Sequence, residues 1–165
     1  MNPLPNHVTD EGVHDELRSI MVKIASCGLL LKDAKVLLAL RSKKLSFYPD
    51  VWDAIGGHCQ PGESPESALL RELQEEIGVT PTEYEEIIVL DDPHPEVHGR
   101  YKYHVFLVTD WIGEPKNLAP KEHESMVWFE IDEAKGLNLA HPAFPQVIER
   151  VCKRHRKGLN RKRTI

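Results

Sequence analysis

Along the 165-residue chain the apolar positions fall into short blocks separated by turn residues. Ile20 to Leu31 and Lys35 to Arg41 are β-branched or apolar runs on either side of KDAK, which predicts a hairpin. The loop RSKKLSFYPD follows, and VWDAIGGH then reads as a short strand entering a glycine pair. Ser64 is placed to cap a helix, with Pro65 at its first position and Glu66 in its first turn. Gly78 ends that helix. Glu83 to Asp91 and Tyr101 to Trp111 predict strands joined by a His/Pro-rich loop, and Met126 to Ile131 predicts another. IDEAKGL predicts a helical turn, and Pro142 to Lys157 a closing helix with Val147, Ile148 and Val151 on one face. Several strands and two main helices predict an α/β fold, a mixed β-sheet sandwiched between helices. Residues 1–19 read as an arm or a short helix, and Trp52, Trp111 and Trp128 as packing residues of the core or its rim.

Composition narrows the class without identifying a function. With 41% apolar and 28% charged residues the chain has the make-up of one soluble globular domain. Its longest apolar run, Ile24 to Leu31, is too short to span a bilayer, so no membrane partner is expected. The first nineteen residues have no basic start followed by an apolar run, and so do not resemble a signal peptide. Cys27, Cys59 and Cys152 are odd in number and lack paired spacing, which points to reduced thiols and a cytoplasmic location. The net charge of −5 hides an asymmetry: residues 153–165 hold seven Lys/Arg and no Asp/Glu, leaving −12 on the other 152 residues. Such a basic tail suits a helix C-terminus, whose dipole favours cations. Nucleic acid is its lesser reading, because no aromatic residue is interleaved to stack on bases.

The chemistry concentrates in GGHCQPGESPESALLRELQEEIGV, Gly56 to Val79. On a helix from Pro65 to Ile77, Leu69, Leu70, Leu73 and Ile77 share an arc of about 100°, the width of a buried stripe. Glu72, Glu75 and Glu76 share the neighbouring arc, and one arginine, Arg71, cannot neutralise three glutamates. A solvated acidic face is the ordinary reading of such a helix. The glycine pair and the Pro61-Gly62 turn change the balance, because they let backbone approach that face. Carboxylate and carbonyl oxygens at helical spacing suit Mg²⁺ or Mn²⁺, and an anion is then held through metal instead of lysine. The glycine spacing of Gly57 and Gly62 fits a phosphate-binding P-loop, but Glu63-Ser64 stands where Lys-Ser/Thr is required.

At every specified position this stretch resembles the signature of the Nudix hydrolases (MutT-like): Gly57, Glu63, Arg71, Glu72, Leu73, Glu75, Glu76, Gly78 and Val79. The resemblance implies the family's α/β/α sandwich over residues 20–152, with the arm and the basic tail outside it. It also implies metal-dependent hydrolysis of a nucleoside diphosphate linked to another moiety, with water attacking phosphorus. Carried over by position, Glu72, Glu75 and Glu76 are the implied metal ligands, with the Gly57 or Gly56 carbonyl as a further one. Which glutamate takes the water's proton stays open. Arg71 is implied to orient a carboxylate, and Glu63 to fix the loop or reach the metal through water. Glu122 and Glu124, just before MVWF, are candidates for an added carboxylate.

The remaining motifs carry less. His94 and His98 have i, i+4 spacing, but Pro95 between them speaks against a metal-binding helix and leaves them as loop residues. His58 and Cys59 lack a paired ligand set, so zinc is not expected. The short domain resembles family members that hydrolyse nucleoside triphosphates, oxidised ones included, to monophosphate and pyrophosphate. ADP-ribose or another nucleotide sugar is the alternative substrate. A nucleotide- or RNA-binding module with an accessory tail is the alternative class, opposed by the intact charged positions. DDPHPEVHG and NLAHPAFPQ are the candidate linings of a base or ribose pocket.

Overall fold

The computed structural model describes residues 21–162, with side chains through Lys153. The expected arm at 1–19 and most side chains of the basic tail lie outside the described residues. Among the described residues seven strands and four helices follow in order: β1 (Lys23–Lys32), β2 (Lys35–Arg41), β3 (Trp52–Asp53), β4 (Ile55–His58), α1 (Pro65–Ile77), β5 (Thr80–Asp91), α2 (Pro95–His98), β6 (Tyr101–Ile112), β7 (His123–Glu130), α3 (Ile131–Lys135) and α4 (Phe144–Lys162).

The expected hairpin is present. Lys32 pairs with Lys35, and the two turn residues Asp33 and Ala34 both take positive φ, 50° and 63°. That is the two-residue turn whose twist matches the flanking strands, and it favours glycine over alanine. Ala34→Gly is therefore expected to raise stability by about 0.5–1 kcal/mol, because relief of the left-handed strain exceeds glycine's entropic cost. A thermal melt of the variant checks it.

The sheet order is β3-β2-β1-β6-β5, with β4 added to β1 and β7 to β2. β1 and β6 run parallel while the other pairs are antiparallel, so the sheet is mixed. β1 and β2 pair only over Leu30–Lys32 and Lys35–Leu37. Beyond that they part: β4 takes the Ala25–Gly28 half of β1, and β3 takes Ala39 and Leu40 of β2. The sheet thus splits along one line, and the short β3–β4 segment bridges the split.

Alternation along the inner strands builds two cores. Leu29, Leu31, Val36, Leu38, Val105 and Leu107 face Ile131, Phe144, Val147, Ile148 and Val151 of α3 and α4. Leu30, Leu37, Ala39, Phe106 and Val108 face Leu69, Leu73 and Ile77 of α1. These strands are apolar on both faces because helices cover both. The α/β/α sandwich follows. Trp52 packs edge-on against Phe129 at 4.7 Å, and Trp111 stacks on Trp128 at 6.0 Å, each beside one of the cores.

Four elements differ from the sequence expectation. The Gly56-Gly57 pair lies within β4, paired with Cys27 and Ser26, instead of following a strand. β5 begins at Thr80, not Glu83, because a proline at 81 is tolerated on an edge strand. β7 begins at His123, not Met126; Leu40 pairs with Ser125 and Arg41 with His123, so Glu124 is an extra residue that breaks the alternation. Pro95 opens the short helix α2 instead of preventing one, since a first helical position needs no N–H bond.

Candidate active site

Ser64 starts α1 as its sequence suggests: Ser64 Oγ accepts from Ser67 N–H at 3.1 Å, and Gly78 closes the helix at φ 73°. With Leu69, Leu73 and Ile77 fixed on the sheet, the next face of the helix is aimed along β4. Glu72 there lies against Gly57. A Cβ on that glycine would sit 2.6 Å from Glu72 Cδ and 2.6 Å from its Oε1, so only glycine lets backbone and carboxylate meet.

Arg71 organises the neighbourhood. Its Nε and Nη2 donate to the two Glu63 oxygens at 2.8 Å each, a bidentate pair. Nη1 donates to Glu72 Oε1 at 2.6 Å and to Glu75 Oε2 at 3.3 Å, and Nη2 also donates to the His58 carbonyl at 3.0 Å. Glu63 Oε2 accepts the Gln60 amide at 2.8 Å, which closes the Pro61-Gly62 turn. The hydrogen bonds from Arg71, with help from the Gln60 amide, hold the Glu63 carboxyl down at about 2 against an ordinary 4.5. Because the folded value is depressed, this contribution to stability is complete above about pH 4.5 and is lost as pH falls toward 2. Glu63→Gln is expected to flatten the acid side of the Tm–pH curve across that window, read by thermal melts.

The three glutamates of the helix differ sharply. Burial raises the Glu72 carboxyl; Arg71 opposes this, and the neighbouring Glu76 and Glu75 charges push it further up. Glu75 points outward, its side chain 60% exposed. Glu76 is turned inward at 7% exposure, and its Oε2 lies 2.8 Å from His123 Nε2. Glu122 and Glu124 part company at the extra residue of β7. Glu122 lines the cleft described next, whereas Glu124 Oε1 accepts the Lys43 amide at 3.0 Å on the far loop.

The cleft occupies the split between β1 and β2, about 770 Å³ with its open mouth included. Gly56, Gly57, His58 and Glu122 lie along it, as do Arg41 and Asp53, with Phe47, Tyr48, Tyr103, His141 and Phe144 as aromatic walls. Burial raises the Asp53 carboxyl, and Arg41, 3.7 Å away, opposes the rise. Ser26 Oγ, also on the lining, is buried and has no hydrogen-bond partner among the described residues. At the rim Asp92 gathers three segments: its carboxylate accepts from Tyr103 Oη at 2.5 Å, the His94 amide at 2.7 Å and Tyr48 Oη at 3.1 Å, with His98 Nδ1 at 3.2 Å. Burial alone would raise this carboxyl, but the hydrogen bonds outweigh it and hold it low.

The structure thus brings Glu63, Glu72 and Glu75 together on Arg71, sets the Glu72 carboxylate against Gly57, and places Glu76 beside them, tied to His123. Among the described residues no three His, Cys, Asp or Glu side chains already converge as metal ligands. The donor chemistry nevertheless suits a hard divalent cation: carboxylate oxygens next to a backbone kept open by glycine, with a carboxyl whose raised proton affinity a cation would relieve. The backbone amide of His94 and the ring of His98 both serve Asp92. Ser26, Asp53, Asp92 and His123 were not singled out from the sequence. Asp53, a lone acid inside the apolar run before the glycine pair, offered the best local signal.

The NUDIX domain model matches residues 22–151. The CTP pyrophosphohydrolase of Escherichia coli K12 is 33% identical over 126 residues, 76% of this chain and 87% of that protein. The 8-oxo-dGTP diphosphatase of the same organism is 39% identical over 85 residues, 50% of this chain and 64% of that one. The solution structure of the E. coli ORF135 protein superposes with a TM-score of 0.64 at 29% identity, covering 79% of this chain and 89% of the other. With a signature box, a split mixed sheet and relatives that agree over most of their length, the chain belongs to the Nudix family and is a hydrolase acting on phosphorus anhydrides.

Proposed function

We propose that the protein hydrolyses a nucleoside triphosphate to the monophosphate and pyrophosphate, with Mg²⁺ or Mn²⁺ held by Glu72, Glu75 and Glu76 and the Gly57 carbonyl. The observation that carries this reading is a shared boundary: Gly57 lines the cleft on one side and receives Glu72 on the other. A polyphosphate laid along β4 would reach the acidic helix face while its base entered the aromatic-walled cleft. The bound ion supplies charge neutralisation of the phosphoryl oxygens and an acidified water.

The chain's own residues do the rest. Arg71 holds Glu63 and Glu72 in fixed orientation, so the loop and the helix face keep their spacing when charge is added. Water oxygen attacks phosphorus, its proton passes to a carboxylate of the Glu72–Glu75–Glu76 face, and the anhydride oxygen leaves with pyrophosphate. Glu122 is the further carboxylate on the cleft wall; Glu124 is spent on the Lys43 amide. Ser26 and Asp53 offer hydrogen-bonding groups to a base, while His141, its ring nitrogens taken by the Asp91 carbonyl and the Ala143 amide, contributes a wall from the NLAHPAFPQ segment. A CTP pyrophosphohydrolase, 87% of which this chain covers, supports a triphosphate over ADP-ribose. Residues 20–152 form the catalytic unit, the basic tail is an accessory, and the three thiols favour the cytoplasm.

A nucleotide panel with Mg²⁺ tests the reading. Inorganic pyrophosphate and a monophosphate are expected from at least one nucleoside triphosphate, and AMP with ribose phosphate from ADP-ribose would overturn the substrate class. Chelation with EDTA is expected to abolish turnover by at least about 10³-fold, with recovery on adding Mg²⁺ or Mn²⁺.

A further inference from the structure

We propose that His123 is a positioning residue for Glu76: its Nε2–H holds one carboxylate oxygen so that the other is presented to the metal-binding face. The inference rests on the reading of Glu76 given above. Three neighbours in sequence, Glu122, His123 and Glu124, go to three destinations. The first lines the cleft, the second is buried against α1, and the third binds the Lys43 amide. The extra residue at Glu124 makes this possible, because a bulge re-aims the side chains around it.

The ring is set before any ligand arrives. His123 N–H donates to the Ala119 carbonyl at 2.9 Å, and Asn117 Nδ2 donates to the His123 carbonyl at 2.7 Å. The segment before it is fastened to the end of α1, since Leu118 N–H donates to the Glu76 carbonyl at 2.8 Å and Lys116 N–H to that of Ile77 at 3.0 Å. Glu76 is thereby held through both its backbone and its side chain by one loop.

The ring's own bonding gives the assignment its direction. His123 is 3% exposed, and its Nδ1 is buried with no hydrogen-bond partner among the described residues. Among the described residues its one side-chain bond is the 2.8 Å contact to Glu76. A carboxylate only accepts, so Nε2 carries the proton toward it. A buried ring with one nitrogen unmet is a costly way to fill space. Its geometry is spent on orienting Glu76, and the groups that orient metal ligands govern affinity as well as rate.

The test compares His123→Gln, whose amide nitrogen reaches the place of Nε2, with His123→Asn, whose amide stops at the place of Nδ1. Mn²⁺ affinity is measured calorimetrically without nucleotide, beside kcat, KM and Tm, with Glu76→Gln as reference. Asn is expected to weaken Mn²⁺ binding and kcat by about 10–100-fold with little change in KM, and Gln to recover most of that loss. Equal behaviour of folded Asn and Gln variants, or native Mn²⁺ affinity in the Asn variant, overturns the proposal while leaving Glu76 as a ligand. A Glu76→Gln protein that keeps native affinity and turnover instead overturns the reading of the site itself. Ring ¹⁵N spectra of the unaltered protein serve where a variant fails to fold. An Nε2-protonated tautomer whose signal moves on adding Mg²⁺ supports the proposal, and a signal unmoved at saturating Mg²⁺ refutes it.

Discussion

Glu76→Gln is expected to lower kcat by about 10³-fold, the equivalent of ~4 kcal/mol of transition-state stabilisation, while the protein folds normally. The substitution keeps the size of the side chain, and the amide oxygen can still accept from His123 Nε2, at 2.8 Å in the native pair. What disappears is one negative charge from a face that must hold a divalent cation against competing water. Glu75→Gln is expected to cost less than Glu76→Gln, because Glu75 is 60% exposed and, among the described residues, is held by a 3.3 Å contact to Arg71. Steady-state kinetics with Mg²⁺, run beside a thermal melt, checks both. Near-native turnover in the Glu76 variant contradicts the assignment.

Gly56→Ala is expected to unfold the protein at a much lower temperature, losing about 3 kcal/mol or more. A Cβ there would lie 2.0 Å from the Ser26 carbonyl oxygen and 2.6 Å from Cys27 Cα, both backbone atoms of β1 that cannot yield without parting β1 from β4. Gly57→Ala is the instructive contrast. Its Cβ would meet the Glu72 carboxylate at 2.6 Å, a side-chain end that can turn aside. Its stability cost is expected to be smaller, about 1 kcal/mol, with the damage falling on activity, because Glu72 is pushed from the backbone it abuts. Melts and kinetics on the two variants together separate the roles of the paired glycines. Equal loss of Tm would show that the close approach of Glu72 is not what Gly57 provides.

How far the sequence could be read depended on the range of the interaction. Helix α1 was legible in full because its cap, its apolar stripe and its stop are all local: Ser64, Leu69–Leu73–Ile77 and Gly78. The hairpin and the inner strands were legible because alternation survives wherever both faces are covered. The acidic face and Arg71 could be placed on one side of α1 from spacing alone. The rest of the site depends on where strands part. That β1 and β2 diverge after three pairs, opening the cleft for β3 and β4, has no local signature. Glu122 and Glu124 looked equivalent because period-two reasoning breaks at an extra residue, and the structure sends them to opposite places. His123 meets Glu76 across 47 positions of sequence, a pairing that only the folded loop creates. Pro95 was read as opposing a helix, yet it opens α2, and Pro81 sits within β5: proline forbids a helix or a strand only where its missing N–H would have been used.

The central claim is that the α1 carboxylates and the Gly57 backbone hold a divalent ion, and anomalous diffraction from crystals soaked in Mn²⁺ tests it most directly. The expected result is a peak within about 2.5 Å of oxygens from Glu72, Glu75 and Glu76 and of the Gly57 carbonyl, lost in crystals of Glu76→Gln. Crystals that turn over nucleotide yet place Mn²⁺ elsewhere, at Asp53 or Asp92 for instance, would contradict the account.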